Sequence, residues 1–366
     1  IHMMFVEKWL SKVPQYTRNS RHFRSVVEHG TPRKILNLLR VEYERRMKKI
    51  EVSSRPYIAF IDPTNFCNLR CPLCPTGKLE LGRKQSMMSL DCFKRYIDPH
   101  LPYLLEVNLH NWGESLINKD VFEMIEYARD NNVGTNMSSN FVLPRPDAIE
   151  RLLDSGLEYL IISLDGASQE SYEPYRIRGD FDRVIANVEL LIKRRNERGL
   201  KYPFVEWQYI VMKHNEGHVE EAQKISDRIG VDLLRFIHVG VPYDFPDKKA
   251  LKEKWYPVEY GQDDKEDTKQ KPSPCFYLYR SMIVNSNGGV SPCCEVYQEN
   301  RDFDDLRNHD TIDIGKIWNN KKYQAARSLF SGKTVSEHPP IVCDDCDIFK
   351  KHASKMKQDV SVRRRS

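Results

Sequence analysis

The sequence lacks the features of several protein classes. It has no run of about 18 apolar residues and no apolar signal-peptide core near its N-terminus, so we expect neither a membrane span nor secretion. Its 57 basic and 52 acidic residues leave a net charge of only +5, without the dense basic stripe typical of nucleic-acid binders. It also has no internal repeat. The sequence therefore predicts a cytoplasmic protein that binds neither nucleic acid nor a membrane.

What is present indicates a large globular protein. The 366 residues, 40% of them apolar, are enough for one large catalytic domain and a smaller one. The nine cysteines are expected to be metal ligands rather than disulfide partners, because the cytosol keeps thiols reduced.

Strand-like and helix-like segments alternate through the first two thirds of the chain. Apolar runs predict strands at 57–62, 104–109, 133–138, 158–164, 204–212 and 232–238. Helical patterns between them lie near 89–99, 119–131, 146–155, 180–196 and 216–229. This order predicts parallel strands with crossover helices, as in a partial (β/α)6 TIM-type barrel. In such folds the functional residues lie at the C-terminal ends of the strands.

Changes in composition divide the chain into five parts. A helical extension is predicted at the N-terminus, with Thr31 as N-cap and Pro32 at the first position of a helix over 31–50. A charged, proline-containing stretch after the barrel is typical of a linker or lid. The predicted parts are the extension 1–55, the barrel 56–240, the linker 241–272, a cysteine-rich domain 273–350 and a basic tail 351–366.

Three cysteines lie close together after the first predicted strand. Cys67, Cys71 and Cys74 form a C-x3-C-x2-C pattern on a short loop, so their thiolates can converge on one face of a metal cluster. Iron-sulfur clusters usually have four cysteine ligands, so a three-cysteine loop leaves one iron for a small molecule. A zinc site is the alternative, but zinc takes a fourth Cys or His at short range, and none lies between Pro75 and Ser89.

This loop, Asn65–Pro75 with Leu73 before the last cysteine, resembles the signature of the radical S-adenosylmethionine (radical SAM) superfamily. The resemblance implies a [4Fe-4S] cluster whose open iron chelates the amino and carboxylate groups of S-adenosylmethionine. It implies reduction of the sulfonium to methionine and a 5'-deoxyadenosyl radical, with an electron from a reductant such as flavodoxin or ferredoxin. It also implies the partial barrel.

Two further segments resemble cofactor-binding motifs of the superfamily. The segment containing Trp112, Gly113 and Glu114 is similar to its Gly-Gly-Glu motif, with Trp112 in place of the first glycine, and is expected to bind the methionine ammonium. Ser163 and Asp165 close the fourth strand and are expected to contact the ribose hydroxyls or the methionine carboxylate.

Two more candidates are expected to contact either the cofactor or the substrate. Asn140 ends the third strand, in a segment that resembles a Thr-Asn-Gly stretch of related enzymes. Arg176 and Arg178 both offer a guanidinium suited to a carboxylate, and Arg178 is taken as the candidate. A surface salt bridge would explain either arginine equally well.

The C-terminal cysteines resemble the first part of a SPASM/twitch auxiliary-cluster domain. The spacing is C-x12-G-x4-C with a distant C-x2-C further on, and a hairpin is predicted near Ile283–Pro292 with its turn at Gly288. No cysteine comes after the last pair, so one auxiliary [4Fe-4S] cluster is implied, and two clusters in all. On chemistry alone a structural zinc fits equally. The implied ligands are Cys275, Cys293, Cys343 and Cys346.

The type of reaction depends on the fate of the substrate radical after hydrogen abstraction. The main prediction is an oxidoreductase that dehydrogenates a carbohydrate or aminocyclitol-type small molecule, with the auxiliary cluster accepting the electron. Alternatives are an epimerase in which Cys294 returns a hydrogen atom, or a peptide-modifying maturase. An N-terminal part without strands counts against a leader-binding peptide domain. A non-catalytic metal-bound scaffold is the remaining alternative, and Cys92 is expected to be a buried small hydrophobe.

Overall fold

A computed structural model describes residues 20–259 and 274–350, apart from Pro144, Tyr243 and Ile348. The predicted basic tail 351–366 lies outside these residues, as do residues 1–19 of the predicted extension and residues 260–272 of the predicted linker. The described chain contains one sheet in the order β6-β5-β4-β3-β2-β1-β7-β8-β9. Its strands are β1 Ile58–Ile61, β2 Glu106–Asn108, β3 Gly134–Ser139, β4 Tyr159–Ser163, β5 Phe204–Val211, β6 Leu233–His238, β7 Ser281–Val284, β8 Gly289–Ser291 and β9 Asp304–Asp305.

The first six strands form the α/β partial barrel that the sequence predicts. Each of them pairs in parallel with its neighbour in chain order, which requires a crossover connection between every pair. The helices are α1 Arg21–His29, α2 Pro32–Arg46, α3 Leu90–Ile97, α4 Val121–Asp130, α5 Ala148–Ser155, α6 Gln169–Tyr172, α7 Phe181–Glu197, α8 Val219–Ile229, α9 Lys248–Trp255, α10 Tyr277–Arg280, α11 Ile314–Trp318 and α12 Lys321–Ser331. No helix among the described residues is long and apolar enough to cross a membrane.

The two faces of the barrel sheet differ in chemistry. Successive side chains of a strand point to opposite faces, and residues paired across strands share a face. One face is apolar, packs with the helices and carries Val107, Met137, Leu160, Ile162 and Val205. The other face is the interior of the barrel, and it is polar although it is largely buried. Its residues include Glu106, Asn108, His110, Asn136, Tyr159 and Glu206.

The N-terminal extension does more than support the barrel from outside. Thr31 caps α2 as expected, since its Oγ1 accepts from Lys34 N–H at 3.4 Å, but the helix ends at Arg46 rather than at 50. The preceding helix, α1, was not predicted. It lies beside the start of β2, where His22 Nδ1 is 2.7 Å from Glu106 Oε1. Side chains of α1 therefore reach the barrel interior.

The cysteine-rich part continues the barrel sheet. Strand β7 pairs in parallel with β1, in register from Ile58↔Ser281 to Ile61↔Val284, and β8 returns antiparallel to β7. The hairpin begins at Ser281, slightly before the predicted Ile283. The described part of the predicted linker is folded rather than extended, because it contains α9, whose Trp255 is buried with its ring 5.5 Å from that of Tyr175.

Candidate functional site

The three-cysteine loop connects β1 to α3 and is held by close backbone contacts. Cys74 N–H donates to Cys71 O at 3.1 Å, and Leu69 N–H points at Cys67 Sγ at 3.5 Å. A Cβ on Gly77 would lie 2.5 Å from Cys71 O, so only glycine allows this approach. The loop therefore folds tightly around its own cysteines.

The thiols of this loop lie in a buried environment that suits a metal cluster. Burial raises the pKa of Cys67 to about 12 and that of Cys71 to about 11, and the neighbouring Cys74 thiolate adds to both shifts. Thiolates in such a group repel one another and lack water, so they become stable ligands only when a cation compensates them. The donor set therefore fits an iron cluster, which takes cysteine thiolates as ligands.

Gly113 brings the predicted ammonium-binding segment directly onto the cysteine loop. A Cβ at this position would lie 1.8 Å from Thr64 O and 2.8 Å from Phe66 O. The following Glu114 N–H donates to Phe66 O at 2.8 Å. Trp112 is half-buried, its indole N–H has no partner among the described residues, and its ring lies 5.7 Å from Tyr297. The segment thus lies beside the cysteine loop, and its binding of the methionine ammonium stays a prediction.

Glu114 and Asn140 form a hydrogen-bonded connection to Cys67. The buried Glu114 carboxylate accepts from Ser139 Oγ and from Asn140 N–H, each at 2.8 Å. Asn140 Nδ2 then donates to Asn68 Oδ1 at 2.8 Å and lies 3.9 Å from Cys67 Sγ. The Glu114 side chain is therefore occupied in orienting Asn140, whereas Asn140 itself borders the cluster site.

Asp165 and Ser163 differ in their surroundings. Asp165 is fully buried, and its carboxylate accepts from Ile210 N–H at 2.7 Å and from Arg176 Nε at 2.5 Å. Each oxygen has one protein donor, so the carboxylate holds Arg176 in place, and its predicted contact with the cofactor stays a prediction. Ser163 is half-buried on the interior face, with its Oγ 3.1 Å from Ser138 Oγ.

The structure brings Arg176, rather than the chosen Arg178, to the cluster site. Arg176 Nη1 lies 3.9 Å from Cys71 Sγ. Arg178 is exposed and has a left-handed backbone conformation with φ of 72°. The two arginines are only two residues apart in a tight turn, so the chain can direct only one of them inward.

The four predicted auxiliary cysteines surround one cavity of about 330 Å³. Its lining also includes Tyr277, Leu278 and Val241. Backbone N–H groups at the start of α10 point to the Cys275 sulfur, and burial raises the pKa of this thiol to about 11. Four thiols around one cavity, with N–H donors to the Cys275 sulfur, fit an iron-sulfur cluster. The cavity cysteines are Cys275, Cys293, Cys343 and Cys346.

Cys294 faces away from this cavity. Its Sγ lies 3.0 Å from the Tyr277 hydroxyl, and burial raises the pKa of its thiol to about 11. The Tyr277 ring is 6.4 Å from Phe60 of β1, and Phe60 is 5.9 Å from His110 of the barrel interior. A path of packed side chains therefore leads from Cys294 to the interior.

The interior face carries polar atoms that sequence reasoning missed. Asn108 Oδ1, Asn136 Nδ2 and His110 Nδ1 are buried and have no partner among the described residues. Burial, together with the charge of Arg21 on α1, lowers the pKa of His110 to about 3, so this imidazole is neutral. The alternation of Glu106, Asn108 and His110 with apolar residues was the available signal, because it gives β2 a polar face.

One residue adjoins both cysteine groups. Val241, which comes after β6, lines the auxiliary cavity and also packs in the apolar cluster around Cys67, Cys71 and Cys74. The two groups therefore border a common interior.

Two family models match this architecture. Residues 61–225 match the radical SAM superfamily, and residues 275–347 match an iron-sulfur cluster-binding domain of the SPASM type. Together they cover both cysteine groups. The chain therefore contains a radical SAM domain and a C-terminal auxiliary-cluster domain. Its cofactors are therefore S-adenosylmethionine and [4Fe-4S] clusters, as the sequence predicts.

Relatives match part of the chain. The AdoMet-dependent heme synthase of Methanosarcina barkeri is 26% identical over 185 residues, which are 50% of each chain. The mycofactocin maturase MftC of Mycobacterium ulcerans is 28% identical over 172 residues, 46% of this chain and 44% of that protein. The chain thus spans about half the length of these curated relatives.

Solved structures show the same fold at low sequence identity. Streptococcus suis SuiB bound to the precursor peptide SuiA aligns with a TM-score of 0.58 and 16% identity, over 86% of this chain and 74% of SuiB. The enzyme anSMEcpe with bound AdoMet aligns with a TM-score of 0.53 and 15% identity, over 84% of this chain and 96% of that chain.

Proposed function

We propose that this chain reductively cleaves S-adenosylmethionine and uses the 5'-deoxyadenosyl radical to abstract a hydrogen atom from a substrate in the barrel interior. The cluster and S-adenosylmethionine supply the electron and the radical when bound, and the protein positions the substrate and excludes quenchers. The observation that carries this proposal is the common interior bordered by both cysteine groups: Val241 lines the auxiliary cavity and also packs against the apolar cluster that includes Cys71.

A peptide is the proposed substrate, in place of the small molecule favoured by the sequence alone. MftC is named a maturase and SuiB is seen with a precursor peptide, and both resemble this chain. The interior supports this choice, because Asn108 Oδ1 accepts and Asn136 Nδ2 donates, as a peptide amide requires.

Dehydrogenation of a carbohydrate or aminocyclitol remains the second candidate. Between residues 20 and 57 the described chain has two helices and no strand, which argues against a strand-containing domain for a peptide leader in that range. The same unpartnered amide groups would also meet the hydroxyls of a polyol.

The fate of the substrate radical has two routes in this site. An electron can pass to the auxiliary cluster held by the four cavity cysteines, which gives an oxidised product. Alternatively Cys294, whose Sγ contacts the Tyr277 hydroxyl, returns a hydrogen atom, which gives an epimer. We favour oxidation, because the cavity cysteines form a complete ligand set without Cys294.

Anaerobic reconstitution tests the proposal. The wild type should hold about eight irons and form 5'-deoxyadenosine from S-adenosylmethionine with dithionite. Replacing Cys67, Cys71 and Cys74 together by Ala should leave about four irons and abolish cleavage. Replacing Cys92, on α3, is the control and should change neither quantity. Cleavage by the triple variant would refute the assignment.

A further inference from the structure

Arg327 is a buried cation in the cysteine-rich part of the chain. It lies on α12 with no exposed surface. Its Nε donates to Leu278 O at 2.9 Å and its Nη1 to Ile50 O at 3.2 Å, while Nη2 has no hydrogen-bond partner among the described residues. None of the ion pairs of the described chain includes this guanidinium. Burial lowers the pKa of Arg327 to about 10, so the charge persists at neutral pH.

Aromatic rings surround the guanidinium, and the buried Glu44 carboxylate attracts it without forming an ion pair among the described residues. The Arg327 guanidinium carbon lies 4.9 Å from the ring centroid of Trp318 and 5.5 Å from those of Tyr279 and Tyr323. Ring faces attract a cation through their quadrupole, but they do not cancel its charge. The field of Arg327 therefore extends into the surrounding protein, where the low dielectric screens it weakly.

The same rings adjoin the auxiliary cysteines. Burial raises the pKa of Tyr279 to about 12, and the nearby Cys275 thiolate adds to this rise. Burial, and then Asp304 and the thiolates of Cys343 and Cys293, raise the pKa of Tyr323. Leu278, whose carbonyl Arg327 binds, lines the auxiliary cavity itself. The Leu278 backbone thus connects the cation to the wall of the auxiliary cavity.

We propose that Arg327 is a positioning charge that raises the reduction potential of the auxiliary cluster, so that the cluster accepts an electron from the substrate radical. The inference rests on the auxiliary-cluster assignment within the proposed function. Reduction adds one negative charge to the cluster, and a nearby fixed cation stabilises that added charge. The electron comes from the substrate radical formed after hydrogen abstraction, and the proton lost on oxidation passes to solvent.

Potentiometric titration of the reconstituted full chain, monitored by electron paramagnetic resonance, measures this effect. Arg327→Met should lower the ratio of reduced to oxidised auxiliary cluster at a fixed potential roughly tenfold, which is a shift of about 59 mV for a one-electron couple. Arg327→Lys keeps the charge and should stay close to the wild type. Lys321→Met is the matched control, since it removes a 72% exposed cation from the same helix and should leave the potential unchanged.

A merely structural role predicts a different pattern. In that case Met and Lys variants would both lose thermal stability and neither would change the potential, which would overturn the inference. If Arg327→Met does not retain the auxiliary cluster, the potential of Arg327→Lys alone distinguishes the electrostatic role from a structural one. A buried lysine loses its charge as pH rises, so its auxiliary potential should fall with pH relative to the wild type. If the difference in auxiliary potential between Arg327→Lys and the wild type does not change with pH, the inference is overturned.

The spectra also separate this inference from the proposed function. A wild type without an auxiliary-cluster signal would overturn the auxiliary-cluster assignment and this inference, whereas 5'-deoxyadenosine formation would still test the cleavage of S-adenosylmethionine. Two cluster signals with an Arg327-independent auxiliary potential would overturn only the role of Arg327. The radical SAM cluster is the internal standard in each titration.

Discussion

A Cβ atom added to Gly113 would lie 1.8 Å from Thr64 O. The segment after β2 thereby touches the backbone of the cysteine loop itself. This contact fixes the predicted ammonium-binding segment beside the three thiols, and it depends on the absence of a single methyl group.

Gly113→Ala should disrupt the cluster site. The added methyl forces the two backbones apart, at a cost of about 1–3 kcal/mol or more. We expect a loss of iron from the three-cysteine site and of 5'-deoxyadenosine formation, measured by iron analysis and chromatography. Gly217→Ala is the control, because nothing lies within 4 Å of a Cβ there. Full activity of Gly113→Ala would contradict this account.

Asp165→Asn should be strongly destabilising. It leaves the Arg176 guanidinium, of which 13% of the side chain is exposed, without its carboxylate partner. Breaking a buried pair in this way costs about 3–5 kcal/mol. Chemical denaturation measures the loss, and S-adenosylmethionine cleavage should fall as Arg176 moves from Cys71.

The matched control for this variant is Arg178→Met. Arg178 is exposed, and we expect its replacement to change the free energy of unfolding by no more than about 0.5 kcal/mol. A larger effect from Arg178 than from Asp165 would show that the sequence-based choice of Arg178 was the better one.

Cys294→Ala separates oxidation from epimerisation. We expect the variant to keep both clusters and to form product, because four other cysteines surround the auxiliary cavity. Mass spectrometry of products made in deuterated water is the measurement. Solvent deuterium at a substrate carbon in the wild type, absent in Cys294→Ala, would instead assign the hydrogen donor to Cys294.

Stability should depend on pH through His29. Its Nε2 lies 2.9 Å from Glu158 Oε1, and although burial opposes the charge, Glu158 raises the pKa of His29 overall. Stabilisation by this pair is fully present below the unfolded pKa of about 6.5, and it is lost as pH rises through the higher folded pKa.

Thermal unfolding at about pH 6 and about pH 9 tests this dependence. His29→Gln should lower the melting temperature at the lower pH and have a smaller effect at the higher pH. His218→Gln, at an exposed histidine, should change the melting temperature by the same amount at both pH values. A larger effect of His29→Gln at high pH would contradict the assigned sign.

Local patterns predicted much of this molecule. The first six strands were recognisable because short segments with continuous or alternating apolar residues lie between helical patterns, and pairing along the chain needs no distant information. The cysteine groups were recognisable because ligand spacing on one loop is written directly in the sequence. The glycine after β2 was also visible in the sequence, and a glycine allows the close approach of Gly113 to Thr64.

Features that depend on long-range packing were not predictable. Arg21 and His22 begin an ordinary polar helix, and nothing nearby in sequence indicates that they approach the barrel interior. Arg176 and Arg178 have the same side chain, so only the turn geometry distinguishes them. Arg327 looks like one of many basic residues until the fold surrounds it with rings.

The pairing of β1 with β7 affects both the folding of this protein during translation and the behaviour of truncated fragments. During translation β1 emerges more than 200 residues before β7, so its edge stays open until the C-terminal part leaves the ribosome. An open, apolar edge strand invites pairing with other chains. A fragment ending before residue 274 should therefore aggregate, and the two cluster-binding parts are best expressed as one polypeptide.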